Sequence, residues 1–575
     1  MSGEGTVSNP LWCESVQALS GWVPTTGTAL ATPSAMPTYP AHADGGISLA
    51  PEPSKQRLEV GSASRGDSVR KWGIPIICLL VLLVPYIETF GSAAGRMDEG
   101  TLLVYPELIQ RGAVPYRDFE TFYGPANPYL LAAVYGVFGV DIAVERSVGL
   151  FYRVILFAAL FGLLRRWGMA IATLCVLLAG FLLLPLGVVA YAWIGALAFA
   201  VASLAITSNS NMKGRYAIGG LLAGLALMFR LDVAPALLLA VLVLLRNLPK
   251  DQLVRFLIGF GIGVLPLGAI TLAAGWQQVY YNLFLYPVIC SSQGRHVPFS
   301  WVDSVLPQFF ILEVVTAIIN VAIGALTVLR RNHDDQGRTL MALALLGLGV
   351  LPQAWQRLDI WHVLFVAFLI FSTLPCALFS LVSPGRTPPA RFCLAGGLTF
   401  AIGLVVSAII PSIPRFAVTT MTQAMLTDDM SKALVRFGSR SFQLTSAAQA
   451  RTVSELLDRL DRDSKAGQRL FVGPADLRRT NYADTFIYYF MPKLVPATYF
   501  LEMNPLSANR PNSRLAADVK SADWLVLNFE WDDWIEPNRS MEYASNEPNV
   551  IVRNEFVPYA RVGRYLILRR KDGQA

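Results

Sequence analysis

The chain is short of charge and of most residue patterns that build soluble catalytic scaffolds. Only 15% of its 575 residues are Asp, Glu, Lys or Arg, against 54% hydrophobic, and its mean hydropathy is +0.47. Soluble domains carry roughly a quarter charged residues, so the composition excludes an ordinary water-soluble protein. The six cysteines, Cys13, Cys78, Cys175, Cys290, Cys376 and Cys393, include no CxxC pair, which argues against a zinc cluster or disulfide framework and for small buried hydrophobes. Histidines number only four. No glycine-rich phosphate loop sits at a strand-to-helix junction, so nucleotide hydrolysis is not supported. A secretory signal is not expected either: the first long apolar run follows Arg70-Lys71 and lacks a small-residue cleavage site. The net charge of +7 is scattered in short clusters between apolar runs, which fits loop charges of a membrane protein and no nucleic-acid partner.

What is abundant is apolar sequence long enough to cross a bilayer. A crossing takes about 20 apolar residues, and about eleven spans are expected near 74–90, 147–164, 168–187, 190–206, 216–229, 234–246, 255–275, 306–329, 339–355, 361–382 and 392–411. The stretch 216–246, too long for one helix and basic at both ends, reads as a hairpin of two short helices. Tyr129 to Gly139 reads as an interfacial helix. The expected fold class is therefore an α-helical polytopic membrane protein with a small C-terminal extracytoplasmic α/β domain. Residues 1–71, rich in Pro, Ser, Gly, Ala and Thr, are expected to be a disordered cytoplasmic tail. Residues 72–412 form the transmembrane domain and 413–575 the α/β domain. In the latter, 469–474, 524–528 and 564–568 read as strands and 451–462 as an amphipathic helix.

Basic residues sort by face. With the N-terminus cytoplasmic, Arg165-Arg166, Lys213 with Arg215, Arg246 with Lys250 and Arg255, Arg330-Arg331 with Arg338, and Arg386 with Arg391 fall inside. The unusual polar motifs and the C-terminus then lie outside, on the extracytoplasmic face of a cell inner membrane. The first external loop, 91–146, opens with Asp98-Glu99, continues through Tyr116-Arg117-Asp118-Phe119 and Tyr123-Gly124-Pro125, and closes at Glu145-Arg146. Two adjacent carboxylates beside a membrane suit a general base, a metal ligand or a solvated turn. Rings next to a guanidinium suit sugar stacking or a loop-holding ion pair.

A second set comprises Arg230-Leu231-Asp232, Arg295-His296 and Arg357-Leu358-Asp359-Ile360-Trp361-His362, all at outer helix ends. Snorkelling explains any one such arginine. Several on one face suit the phosphate or diphosphate of a lipid carrier, which arginine grips bidentately.

At these residues the sequence resembles the integral membrane glycosyltransferases of the GT-C superfamily, in particular the bacterial group of protein O-mannosyltransferases and lipid A aminoarabinose transferases. The resemblance covers roughly residues 74 to 410 and rests on Asp98-Glu99, the Gly112 to Pro125 segment, Glu145-Arg146, the Arg230–Asp232 hairpin and the Arg357 to His362 loop. It implies a polyprenyl-phosphate sugar donor bound in a cavity open to the outer leaflet, inversion at the anomeric carbon, and an envelope glycan, lipid or protein as acceptor. Asp98 matches the catalytic carboxylate, with Glu99 supporting it or assisting a divalent metal such as Mg²⁺ or Mn²⁺. Arg230, Arg295, Arg357 and His362 are implied donor-phosphate ligands. Tyr116, Arg117, Asp118, Tyr123, Glu145, Arg146, Asp232, Asp359 and His296 are the candidate substrate-binding residues.

Two other readings compete. A transporter or flippase of lipid-linked saccharides would show polar groups deep in several helices and access from both faces, against the one-sided clustering here. A glycan-binding receptor would need far fewer spans than these for an anchor.

Overall fold

Apolar segments without charged partners bury their own backbone polar groups only as helices, and the computed structural model has helices where the apolar runs lie. It describes residues 65–290, 305–330, 335–382, 388–409, 418, 433–480, 482–531 and 540–571. The expected disordered tail therefore falls almost wholly outside the described residues. The helices are α1 (Arg65–Glu88), α2 (Asp98–Gln110), α3 (Ala126–Phe138), α4 (Ile142–Leu164), α5 (Met169–Leu183), α6 (Ala192–Thr207), α7 (Arg215–Phe229), α8 (Ala234–Leu245), α9 (Lys250–Ala274), α10 (Val305–Arg330), α11 (Asp335–Gly349), α12 (Ile360–Leu381) and α13 (Pro388–Ile409).

Among the described residues, six helices are long and apolar enough to cross a membrane: Ile142–Trp167, Met169–Leu186, Lys250–Ala274, Val305–Arg330, Asp335–Gln356 and Ile360–Leu381. Shorter apolar helices, such as Ala192–Thr207, span only about 24 Å at the helical rise of about 1.5 Å per residue. The last of the long helices, α12, is central, with Val363, Val366, Ala367, Phe368 and Leu369 wholly buried. At the other extreme, α9 turns Leu257, Ile258, Ile262, Leu265 and Leu272 outward. The expected hairpin at 216–246 is present as α7, a short turn at Leu231–Val233, and α8. It is gripped from outside by α9. Gly220 and Gly224 of α7 face Gly259 and Gly263 of α9, and a methyl group at any of the four would collide with the opposite backbone. Small residues four apart let two membrane helices pack backbone to backbone.

Beyond residue 433 the pattern changes to mixed α/β. A hairpin, β1 (Leu434–Phe437) with β2 (Arg440–Gln443), precedes α14 (Ala447–Asp463), whose apolar face buries Val453, Leu456, Leu457 and Leu460. A five-stranded sheet follows, with order β4-β3-β5-β7-β6, formed by β3 (Arg469–Pro474), β4 (Val495–Pro496), β5 (Trp524–Asn528), β6 (Phe556–Val562) and β7 (Tyr565–Arg570). The first three run parallel and the last two add antiparallel. Strand β5 is buried at every residue, as a strand covered on both faces should be.

This region is bound into the helical part by side chains from the first loop. Glu107 of α2 takes both guanidinium arms of Arg440 at 2.7 and 2.9 Å. Tyr105 donates to Glu502 at 2.8 Å, and Tyr499 donates to the Tyr116 carbonyl at 2.8 Å. Five described cysteines are free thiols, and Cys175 and Cys376 lie with sulfurs 3.6 Å apart in the buried core.

Candidate functional site

Asp98 and Glu99 open α2, where the unpaired helix amides favour negative charge, yet the two carboxylates have different surroundings. Glu99 is 1% exposed and accepts from Arg146 Nε at 2.8 Å, Arg146 Nη2 at 3.1 Å and the Gly95 amide at 2.8 Å. Arg146 spends its remaining arm on the carbonyls of Phe90 and Ser92. The pair is thus a buried clasp that ties the loop after α1 to the start of α4. Asp98 stands beside it, exposed.

Glu99 is fully engaged, and among the described residues no three His, Cys, Asp or Glu side chains gather as metal ligands. Glu145 is also internal: it accepts the Ala190 amide at 2.6 Å and, with Arg153 donating to Val189 O, pins the segment that leads into α6. Glu145 and Arg146, expected among the substrate ligands, are 0% and 1% exposed and hold the framework instead.

The cationic set converges through aromatic rings. The Arg230 guanidinium lies 5.1 Å from the Tyr123 ring and 5.3 Å from that of Trp193, pairs with Asp232 at 3.0 and 2.5 Å, and reaches Gln353 at 3.3 Å. Tyr123 is put there by the next residue, whose amide donates to Phe229 O at 2.9 Å. Arg357 pairs with Asp359 at 2.7 Å and donates to the Tyr482 hydroxyl at 2.7 Å. Asp359 caps α12 by accepting the His362 amide at 2.9 Å and meets the His362 ring nitrogen Nδ1 at 2.8 Å. Burial opposes ionisation of Asp359, but His362 and Arg357 outweigh it and hold the carboxyl well below the usual range.

One ring joins these groups to Asp98. Phe365 packs against His362 and Tyr191, its carbonyl takes the Trp193 indole N–H at 3.0 Å, and Tyr191 lies within electrostatic reach of Asp98.

The C-terminal region closes the rim, which local sequence does not reveal. Arg96, two residues before Asp98, pairs with Glu530 at 2.8 and 2.9 Å and stacks on Trp531 at 4.5 Å. Trp531 packs on Tyr482, the partner of Arg357. Arg96 also lies 3.6 Å from Asp484, a carboxyl that burial pushes up and Arg96 pulls down. A cavity of about 490 Å³ opens beside Arg96, lined by Glu530, Arg564, Tyr565, Gln449 and Thr452. Neither Trp531 nor Tyr482 carries a local signal that places it here; only the fold brings them to Arg357.

The remaining candidates separate. Tyr116, expected to stack on a sugar, is 0% exposed with φ +70°, and its hydroxyl donates to Tyr123 O, so the ring is a core element under the loop. Arg117 and Asp118 form an exposed pair at 2.8 Å, with Asp118 also accepting the Val114 amide. Arg295 and His296 lie outside the described residues. Glu120, not singled out by the sequence, is wholly buried against Ser507 and Asn504, and burial lifts its carboxyl to about 8.

No family model matches the chain, and no curated protein matches it in sequence. Solved structures do match in shape. The crystal structure of ArnT from Cupriavidus metallidurans bound to undecaprenyl phosphate aligns over 88% of this chain and 99% of its own, with a TM-score of 0.50 and 11% identity. The apo structure of the same protein aligns over the same shares with a TM-score of 0.47 and 11% identity. The chain up to residue 410 is under three quarters of its length, so coverage of 88% extends the likeness past 74–410 into the C-terminal sheet region. The chain is a multi-pass membrane protein whose fold is similar to that of ArnT.

Proposed function

We propose that this protein transfers a sugar from a polyprenyl-phosphate-linked donor to a hydroxyl acceptor at the outer face of the cytoplasmic membrane. The observation that carries the reading is that an exposed carboxylate, Asp98, is linked by successive ring contacts to the guanidiniums of Arg230, through Tyr191, Phe365 and Trp193, and of Arg357, through the neighbouring Arg96, Trp531 and Tyr482, in a fold shared with a protein crystallised with undecaprenyl phosphate.

In this scheme Asp98 accepts the proton of the acceptor hydroxyl as its oxygen bonds to the anomeric carbon. The bond from that carbon to the phosphate oxygen breaks, and the phosphate departs carrying the electron pair. Arg230, Arg357 and His362 stabilise the departing charge, as preorganised cations do for a developing dianion. Asp232 and Asp359 aim the two guanidiniums, each of which has five donors to share. Tyr123 and Tyr482 wall the site. The helical part, 72–412, crosses the bilayer about eleven times with its N-terminus cytoplasmic, and 413–575 stands outside over the donor; the positive-inside bias supports this orientation. The acceptor is an envelope glycan, lipid or protein.

The test is transfer of radiolabelled sugar from a panel of polyprenyl-phosphate donors by purified, reconstituted protein. Asp98→Asn should lower transfer by at least about 100-fold, the contribution of a positioned general base, while leaving the unfolding midpoint unchanged. Equal incorporation by both proteins would remove Asp98 from the chemistry. Donor-independent passage of labelled saccharide across the bilayer, with no transfer by either, would replace the reading by transport.

A further inference from the structure

At the end of α4 remote from Glu145 and Arg146, a cavity of about 820 Å³ opens between α4, α6 and α11. Its mouth, at Arg165, lies roughly 28 Å along the helix from Arg146 at about 1.5 Å per residue. Its size is within the roughly 300–1,000 Å³ of small-molecule sites.

The walls differ in character. Ile155, Ala158, Ala159 and Gly162 form one face of α4, opposed by Ala202 and Ala205 of α6. The mouth is polar: Arg165 and Arg166 stand with Ser208, Asn209, Asn211 and Gln336. Arg166 is fixed by Thr339 Oγ1 and Ser208 O, each at 2.8 Å. The Arg165 side chain makes no hydrogen bond or ion pair with any described residue. The carboxylate at the rim, Asp335, is already paired with Arg338 at 2.6 Å. An apolar slot thus leads to a mouth with excess positive charge and a guanidinium that no described residue pairs.

We propose that this cavity binds one anionic glycerophospholipid, its phosphate on Arg165 and one acyl chain along Ile155–Gly162. Arginine suits a phosphate diester. The side-chain amides of Asn209 and Asn211 at the mouth suit the hydroxyls of a polyol headgroup, which a bare polyprenyl phosphate lacks. The site is separate from the donor site and does not depend on the transfer reading.

The test uses the full chain in neutral detergent, with native mass spectrometry and thermal unfolding as readouts. Phosphatidylglycerol, phosphatidylcholine with identical chains, undecaprenyl phosphate and inorganic phosphate are added in turn. The expected result is one retained phosphatidylglycerol and a raised unfolding midpoint, with phosphatidylcholine ineffective. Arg165→Ala should weaken binding roughly tenfold or more, the worth of a hydrogen bond to a charged group. Gly162→Leu should do the same by filling the slot; a Cβ at Gly162 meets nothing within 4 Å, so the fold tolerates it. Equal binding of phosphatidylcholine, the same shift from inorganic phosphate, preference for undecaprenyl phosphate, or wild-type binding by both variants would each overturn the proposal.

Discussion

Adjacent residues with the same functional group do different work here because their surroundings differ. Asp98 and Glu99 read alike in sequence, yet one is exposed and the other lies in a closed clasp with Arg146. Removing one partner of such a buried pair leaves an uncompensated charge, so changes at Glu99 report on folding, whereas changes at the exposed Asp98 report on transfer if it is the proposed base. Glu120 carries the clearest pH signature. Burial first, then the neighbouring charge of Glu502, lifts its carboxyl to about 8, with hydrogen bonds from Ser507 and Asn504 opposing. An unfolded glutamate titrates near 4.3, so the folded chain holds this proton more tightly. The associated stability is complete below about pH 4, declines as pH rises between the two values, and is lost above about 8. The unfolding midpoint should therefore fall between pH 6 and 8 in wild type, by an amount corresponding to at most about 3 kcal/mol. In Glu120→Gln this decline should largely vanish. A wild-type midpoint that is flat over that range would mean the carboxyl is not buried as described.

At the scale of elements, the same tripeptide is used twice. Arg230-Leu231-Asp232 ends α7, and Arg357-Leu358-Asp359 precedes α12. In both, the arginine has extended backbone, with φ and ψ of −150° and 115° in one and −148° and 106° in the other. Extended backbone puts side chains two apart on one side, so each aspartate reaches back to its own arginine. That much is legible locally, as are the helices, because apolar runs and i, i+2 pairings are short-range signals. The joining of the two turns is not. Gln353 reaches Arg230 across 123 positions, and Arg96 meets Glu530 across 434. Tyr116 misleads for a related reason: an aromatic beside Arg117 in a polar loop looks presented, but the loop folds over it. If both turns grip one phosphate, Arg230→Ala and Arg357→Ala should each cut transfer by about 100-fold, as loss of one preorganised donor does. A kinetic series at saturating donor checks this, and a loss confined to one of the two variants would assign the phosphate to a single turn.

For the whole molecule, the functional argument depends on sidedness. The clasp, both Arg-Leu-Asp turns and the sheet region meet at one end of the helices, and Arg165, Arg166 and Arg215 stand at the other. A lipid-linked donor and a base can meet only if the first end is the one that the donor's headgroup faces. Sidedness is open to direct test at two exposed positions, Ala466 in the sheet region and Ser210 after α6. In a background without native cysteines, Ala466→Cys should react with a membrane-impermeant maleimide in right-side-out vesicles. Ser210→Cys should react only after the vesicles are permeabilised. Both substitutions are small and on the surface, so neither should alter the fold. The reverse labelling pattern would turn the molecule over and put the Asp98 site in the cytoplasm, where soluble nucleotide sugars compete as donors. Labelling of both sites from one side would mean that an odd number of crossings cannot separate them, and the short helices, α6 foremost, would have to be recounted.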